Sequence, residues 1–342
     1  MQIFINRLSS IIKAITQGKT EGAVRMLEGE AMKEFTFATI TYNQQAYIIE
    51  HLESIKRQIE TFGENYQITF LLSDDCSRDN TVALAEKWVA QHRALFHDVI
   101  ILANKENQGV VKNYTKALRN IKTRKFKILA GDDFYFYNDV FKAAFLDTFV
   151  ISPTIKLYDT GIRKESERWL YKEYLLIAKS RLKKTIWNKL KYQMSVETPG
   201  VFWDTSLIDD GLYQALEPFK WIEDIPQWNY LLGKRATSVS LCDVPQIVYR
   251  MSSGISQNTK HEKNVQFEEE VRNIRAKIQT RADSKLYSDR QKMMCRIIKY
   301  LLRNHVKIRA FDECMRQAEE SAQAYVRDIQ EAAVQWTNEH GV

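Results

Sequence analysis

Between Phe35 and Phe134 the apolar positions of the chain switch repeatedly between two periods. Phe35 to Thr41, Gln67 to Leu72, Val99 to Leu102 and Phe126 to Ala130 are short apolar runs of strand length. Between them the spacing changes to three and four. Ile48, Leu52, Ile55 and Ile59 share one helical face, Val82, Ala85 and Val89 a second, and Val110, Tyr114, Ala117 and Ile121 a third. Asp79 is placed to cap the second of these helices. Strand and helix in alternation predict a parallel sheet covered by helices on both faces.

Beyond Phe134 the alternation stops. Asp159 to Ser195 reads as helix with a basic face, Gly200 to Trp203 and Ser238 to Tyr249 as returning strands, and Trp221 to Leu232 as a helix between them. From His261 onward the pattern is helical, and the first 34 residues form one or two amphipathic helices. The expected organisation is a helical appendage over 1–34, an α/β domain over 35–256 with halves at 35–135 and 136–256, and a helical region over 257–342.

Composition narrows this little. The 342 residues are 44% hydrophobic and 27% charged, as in an ordinary soluble domain. Only 12 Gly and 5 Pro argue against long low-complexity stretches. The four cysteines show no C-x-x-C spacing, which points to a reducing compartment and away from zinc or disulfide scaffolding. No run reaches the roughly 18 apolar residues of a membrane span. The start, Met1 to Arg7, lacks a basic leader, so a cytoplasmic location is expected.

The candidate chemistry sits at the strand ends. Gly131-Asp132-Asp133-Phe134 closes the fourth apolar run, and Asp74-Asp75 closes the second. Adjacent carboxylates are costly to hold together unless a cation neutralises them. The C-terminal edge of an open parallel sheet is also where ligands bind. Two acid pairs at one edge suit a metal ion clamping a phosphorylated substrate. No G-x-G-x-x-G or P-loop motif follows any strand.

The strand ends read, in order, Thr41-Tyr42-Asn43-Gln44, Ser73-Asp74-Asp75-Cys76-Ser77-Arg78-Asp79-Asn80-Thr81, Asn107-Gln108-Gly109-Val110 and Gly131-Asp132-Asp133. This series resembles the GT-A fold nucleotide-sugar glycosyltransferases, specifically the inverting family 2 enzymes, bacterial surface-polysaccharide types among them. Ile40 stands where that family commonly has proline, and Cys76 where it has glycine. The resemblance is close from Phe35 to Tyr135 and thins to isolated motifs by Ser256. It implies a GT-A, Rossmann-like, mostly parallel sheet flanked by helices. It further implies that Thr41, Tyr42, Asn43 and Gly109 line the donor pocket and that Asp75 accepts a hydrogen bond from base or ribose. Asp132 would touch the ribose, and Asp133 would hold Mn²⁺ or Mg²⁺ bridging the diphosphate.

Trp221-Ile222-Glu223-Asp224 resembles the family's Glu-Asp site below the acceptor cleft, with Asp224 the expected base and Glu223 its partner. Gly200 to Trp203 lies where relatives contact the acceptor, and Trp203, Trp221 and Trp228 are candidates to stack on sugar rings. Val248 to Ser256 resembles the Tyr-Arg segment of a mobile loop. There Ser252 or Ser253 replaces a histidine that reaches the metal in relatives, and Arg250 is a candidate clamp for the diphosphate. The Gln-x-x-Arg-Trp signature of processive members is missing, which favours single additions.

Fifty basic residues against 43 acidic ones give a net charge of +7. The surplus is local: Arg163 to Lys191 holds ten basic and three acidic residues, interleaved with Trp169, Tyr171, Tyr174 and Trp187. Such a segment suits an anionic membrane surface and a lipid-linked glycan acceptor. Arg290 to Arg309 repeats the theme, and the helical tail serves as a second surface contact or as an interface for a homodimer. Two other classes stay open on sequence alone. A metal-dependent phosphoryl-transfer enzyme also clusters carboxylates. A non-catalytic basic binding protein would use the same helices, although the stacking modules of nucleic-acid readers are missing, which argues against a nucleic-acid partner.

Overall fold

The computed structural model describes residues 32–162, 175, 198–231, 239–251, 262–285, 300 and 308–341. The four apolar runs are parallel strands: β1 (Lys33–Thr41), β2 (Tyr66–Asp74), β3 (Asp98–Ala103) and β4 (Lys125–Ala130). The three striped segments are the helices α1 (Ile48–Phe62), α2 (Thr81–Gln91) and α3 (Val110–Asn120). Asp79 accepts from the backbone N–H and the hydroxyl of Thr81, one residue beyond the expected capping geometry, because Asn80 occupies the cap position.

After the β5 strand (Phe134–Tyr135) and α4 (Val140–Ala144) come β6 (Phe149–Ile151), β7 (Thr154–Tyr158), β8 (Gly161–Ile162) and β9 (Val201–Asp204). The helices α5 (Asp210–Leu216) and α6 (Asp224–Leu231) follow, then β10 (Val239–Leu241), β11 (Ile247–Arg250), α7 (Glu262–Lys285) and α8 (Arg309–His340). The main sheet has seven strands in the order β10-β6-β9-β4-β1-β2-β3, and a second sheet runs β5-β11-β7-β8. In the main sheet β9 is antiparallel to both β4 and β6.

The helix expected from Asp159 does not begin there. Asp159 and Thr160 are a turn between β7 and β8, with Gly161 at φ +98°. The rest of the basic segment to Lys191 lies outside the described residues apart from Leu175, as do residues 1–31, 252–261 and most of Arg290 to Arg309.

Two cores lie on opposite faces of the main sheet. Phe35, Phe37 and Phe70 point toward α1, α2 and α4, where Phe37 meets Tyr135 and Phe141 edge to face. Ala38, Leu71 and Phe126 face α3, α5 and α6. The helix α8 contributes to both, with Phe311, Met315, Ala322 and Ile329 in one and Ala333 and Trp336 in the other. Its apolar face is therefore covered by the same chain.

The register levels the strand ends. Thr41 pairs with Asp74, Asp74 with Ala103 and Ile40 with Ala130, so all four parallel strands finish along one edge. Asp75 and Asp133 leave that edge together. This is the α/β architecture expected of a GT-A domain.

Candidate active site

The first two strand-end loops hold each other. Asn43 N–H donates to Ser77 Oγ (2.8 Å) and Arg78 N–H to Asn43 Oδ1 (2.8 Å). Gln44 N–H donates to Thr81 Oγ1 (2.7 Å), Gln45 N–H to Asp79 Oδ2 (3.1 Å) and Asn80 N–H to Gln45 Oε1 (2.9 Å). Asp74 fastens the base of this lacing, accepting from Thr41 Oγ1 (2.9 Å) and from Ser77 N–H (2.7 Å). Asn43 and Cys76 both adopt positive φ, at +52° and +65°. Asparagine tolerates that region, whereas Cys76 takes a glycine's conformation with a side chain attached.

Asp75 is buried and braces the third loop. Its carboxylate accepts from Gln108 N–H (2.8 Å), Gly109 N–H (2.8 Å) and Asn104 Nδ2 (3.0 Å). Gly109, at φ +92°, also leaves room for another segment: an added Cβ would fall 2.6 Å from Lys220 Cγ and 2.9 Å from the Lys220 carbonyl. That carbonyl accepts from Val111 N–H at 3.1 Å. The loop before α6 is thereby pinned to the start of α3, at the same sheet edge.

Asp132 and Asp133 are 8% and 3% exposed. Burial, reinforced by the Asp132 charge, pushes the Asp133 carboxyl well above the usual carboxylate range, against the pull of Arg250 and Lys127. His51 lies beneath, donating from Nδ1 to the Asp133 carbonyl (2.6 Å) and accepting from Thr39 Oγ1 at Nε2 (2.8 Å). Burial holds its pKa down to about 4, so the ring is neutral. The donor set fits a hard divalent cation in chemistry: two adjacent carboxylates, oxygen ligands both, in a buried corner where an opposite charge would stabilise them. Among the described residues no group of three His, Cys, Asp or Glu forms a closed cage.

Glu223 and Asp224 open α6. They keep some accessible surface but are surrounded by protein on most sides. Burial and mutual repulsion push Glu223 up to about 8. Asp224 is raised by burial, against its hydrogen bond from Ile225 N–H (2.6 Å) and the charge of Arg275 on α7. Glu270 on α7 accepts the backbone N–H groups of Lys220 (3.0 Å) and Trp221 (2.9 Å), and Gln266 accepts from Trp221 Nε1 (3.0 Å). Ile274 packs with Ile222 and Ile225.

Residues 36–203, just under half of the chain, match the family described as Glycosyl transferase family 2. The chain carries a family 2 glycosyltransferase domain. Among solved structures, Staphylococcus aureus TarS 1-349 in complex with UDP-GlcNAc is 17% identical, with a TM-score of 0.46 over 90% of this chain and 92% of that one. Mannosyltransferase PcManGT from Pyrobaculum calidifontis, in complex with GDP-Man and Mn²⁺, is 12% identical, with a TM-score of 0.43 over 96% and 97%. None of the curated proteins compared with the chain matches it. The glycosyltransferase assignment answers the question left open by composition, in favour of an enzyme of sugar transfer.

The domain gathers Thr41, Tyr42, Asn43, Asp75, Gly109, Asp132, Asp133, Arg250, Trp221, Glu223 and Asp224 around one edge. Trp203 is elsewhere. It pairs with Phe126 near the start of β4, is 5% exposed and packs edge to face on Phe126 and Trp228, so it belongs to the core. Trp221 is buried under α7. Arg250 is turned inward, its guanidinium ion-paired with Glu50 at 2.5 Å. Asp75 points into its own chain.

Sequence reasoning passed over Glu50, His51, Lys127 and Glu270. His51 falls three residues after Ile48 and four before Ile55, on the apolar face of α1. A polar residue on the core face of a helix was the available signal. Lys127 interrupts a strand otherwise read as apolar. It is 2% exposed, donates to the Val201 carbonyl at 2.8 Å and lies over the Phe202 ring. Glu270 acts across about fifty residues of chain and left no local signal.

Proposed function

We propose that this glycosyltransferase is a metal-dependent, inverting enzyme. It moves a sugar from a nucleoside-diphosphate donor, UDP-linked, to a hydroxyl of a lipid-linked glycan in cell-surface polysaccharide synthesis. One arrangement carries the reading: Asp133 and the Glu223-Asp224 turn belong to the same sheet edge, joined through Asp75, Gly109 and Lys220. An acid pair for the leaving group and an acid pair for the incoming hydroxyl are what an inverting transfer requires.

Asp133, with Asp132 beside it, would hold Mn²⁺ or Mg²⁺, whose charge offsets that building on the departing diphosphate. The laced loops carrying Thr41, Tyr42 and Asn43 frame the nucleoside. Burial raises both carboxyls, with repulsion from Asp224 helping to take Glu223 up to about 8, while the Ile225 N–H and the Arg275 charge favour the ionised form of Asp224. Asp224 then takes the proton of the acceptor hydroxyl as it attacks the anomeric carbon.

Asp133→Ala should abolish Mn²⁺-dependent binding of UDP. Asp224→Asn should keep that binding and lower turnover by roughly two to four orders of magnitude, the scale of a lost general base. Full turnover in Asp224→Asn sinks the base assignment. A panel of nucleotide sugars assayed for binding and hydrolysis identifies the donor.

The acceptor side rests on the basic, Trp- and Tyr-bearing segment from Arg163 to Lys191. Among the described residues no helix is long and apolar enough to cross a membrane. The segment would hold a cytoplasmic enzyme peripherally at an anionic leaflet. Changing Lys183, Lys184, Lys189 and Lys191 to Glu should abolish vesicle binding and spare UDP binding. Vesicle binding that survives those changes and high salt removes the membrane part of the proposal.

A further inference from the structure

The acid pair is held by a side chain that is itself held. Arg250 ends β11, and it meets the pair in two ways: its backbone N–H lies 2.8 Å from Asp133 Oδ1 and its Nε 2.9 Å from the Asp132 carbonyl. The far end of the guanidinium turns away to Glu50, in the first turn of α1, at 2.5 Å. Its plane lies over the Tyr47 ring, 4.4 Å from the centroid. Gln330 of α8 hydrogen-bonds Glu50 as well. The Arg250 and Glu50 side chains are 9% and 14% exposed, so the arrangement is built into the fold.

A guanidinium beside two aspartates has a strong alternative, a forked ion pair with one of their carboxylates. In that state the pair would lose the negative charge that a divalent cation needs. We propose that Glu50 is a positioning residue for the cation site: it draws the Arg250 guanidinium off the carboxylates of Asp132 and Asp133 and offsets part of its charge. Arg250 then orients the acid pair through its backbone N–H and Nε without quenching it. The inference rests on the acid pair holding the diphosphate-bound cation. It adds the third carboxylate on which that site depends, from an element on which the sequence shows no metal motif.

The test is Mn²⁺ uptake by the full chain, followed by electron paramagnetic resonance with and without UDP. Glu50→Gln should bind Mn²⁺ about tenfold more weakly, the scale of one uncompensated charge near the site. Adding Arg250→Met to Glu50→Gln removes the stray charge and should restore most of the affinity. A merely structural Glu50 would lower the melting temperature in step with the Mn²⁺ affinity, whereas the positioning role lowers the affinity of a variant that melts as the unaltered chain does. Glu50→Asp keeps the charge with a shorter reach, should give a smaller loss and serves if the Gln variant does not fold. Unchanged affinity in the Glu50 variants overturns the inference, and so does a loss that Arg250→Met fails to recover. No Mn²⁺ uptake by the unaltered chain in either condition removes the cation reading itself, an outcome distinct from both.

Discussion

Cys76 shows what a single backbone angle costs. Its φ of +65° places a Cβ where left-handed backbone favours glycine, a penalty of about 1–2 kcal/mol. Its thiol makes one long contact, 3.5 Å to the Lys105 carbonyl. Replacement by glycine removes the strain but loosens the unfolded chain by about 0.5–1 kcal/mol. Cys76→Gly should therefore stabilise the protein by roughly 0.5–1 kcal/mol in urea denaturation. A destabilised variant would mean that the thiol contact outweighs the strain. Lys127 gives a second residue-scale expectation. Burial lowers its pKa from 10.5 to about 7, against the pull of Asp133. In the unfolded chain the amine stays charged to about 10.5, so folding releases a proton between those values. The stability it permits is complete above the unfolded pKa and is lost as pH falls toward 7. Stability measured from pH 7.5 to 9.5 should rise by up to about 1.4 kcal/mol per pH unit from this group, and Lys127→Met should flatten that rise.

At the scale of elements, the stretch from Phe35 to Phe134 was legible because each helix there has an apolar stripe and each strand a mostly apolar run. The strands β5, β6 and β8 escaped because they are only two or three residues long, too short for either period to register, and β7 because Lys156 splits its five residues. The stretch after Phe134 is assembled by contacts distant in sequence, and α7 is the clearest case. One carboxylate, Glu270, holds two successive peptide N–H groups immediately before Glu223 and Asp224. Glu270→Ala should cost about 1–2 kcal/mol through those two unpaired donors. It should also depress turnover more than Mn²⁺-dependent UDP binding, since Lys220 touches only the third strand-end loop, while the first two are laced to each other. Weakened UDP binding of the same size as the turnover loss would show that α7 supports both halves alike. The Glu223-Asp224 turn could be found in sequence by resemblance, but what fixes it could not, because no periodicity connects residue 223 to residue 270.

The molecule as a whole is tied together by α8, which the apolar pattern marked as a helix without revealing what it covers. It crosses both cores, and Tyr325 donates to the Tyr135 carbonyl at 2.9 Å while Trp336 donates to Gln91 at 2.7 Å. A helix shared by two cores couples their unfolding. The described domain should melt in one calorimetric transition, and Trp336→Ala should lower its stability by about 3–5 kcal/mol while keeping that transition single. Two separated transitions would show that the faces of the sheet unfold independently. The same helix sets where the protein can be tethered. The strands end at the candidate active-site edge and α2 begins there, so its last turns, around Gln91, lie at the opposite edge. The end of α8 is fastened to those turns, with the His340 carbonyl accepting from Lys87, and among the described residues nothing lies within 4 Å of a Cβ placed on Gly341. A linker attached at Gly341 would anchor the enzyme to a sensor chip or bead by its rear, with the candidate site's edge facing the liquid.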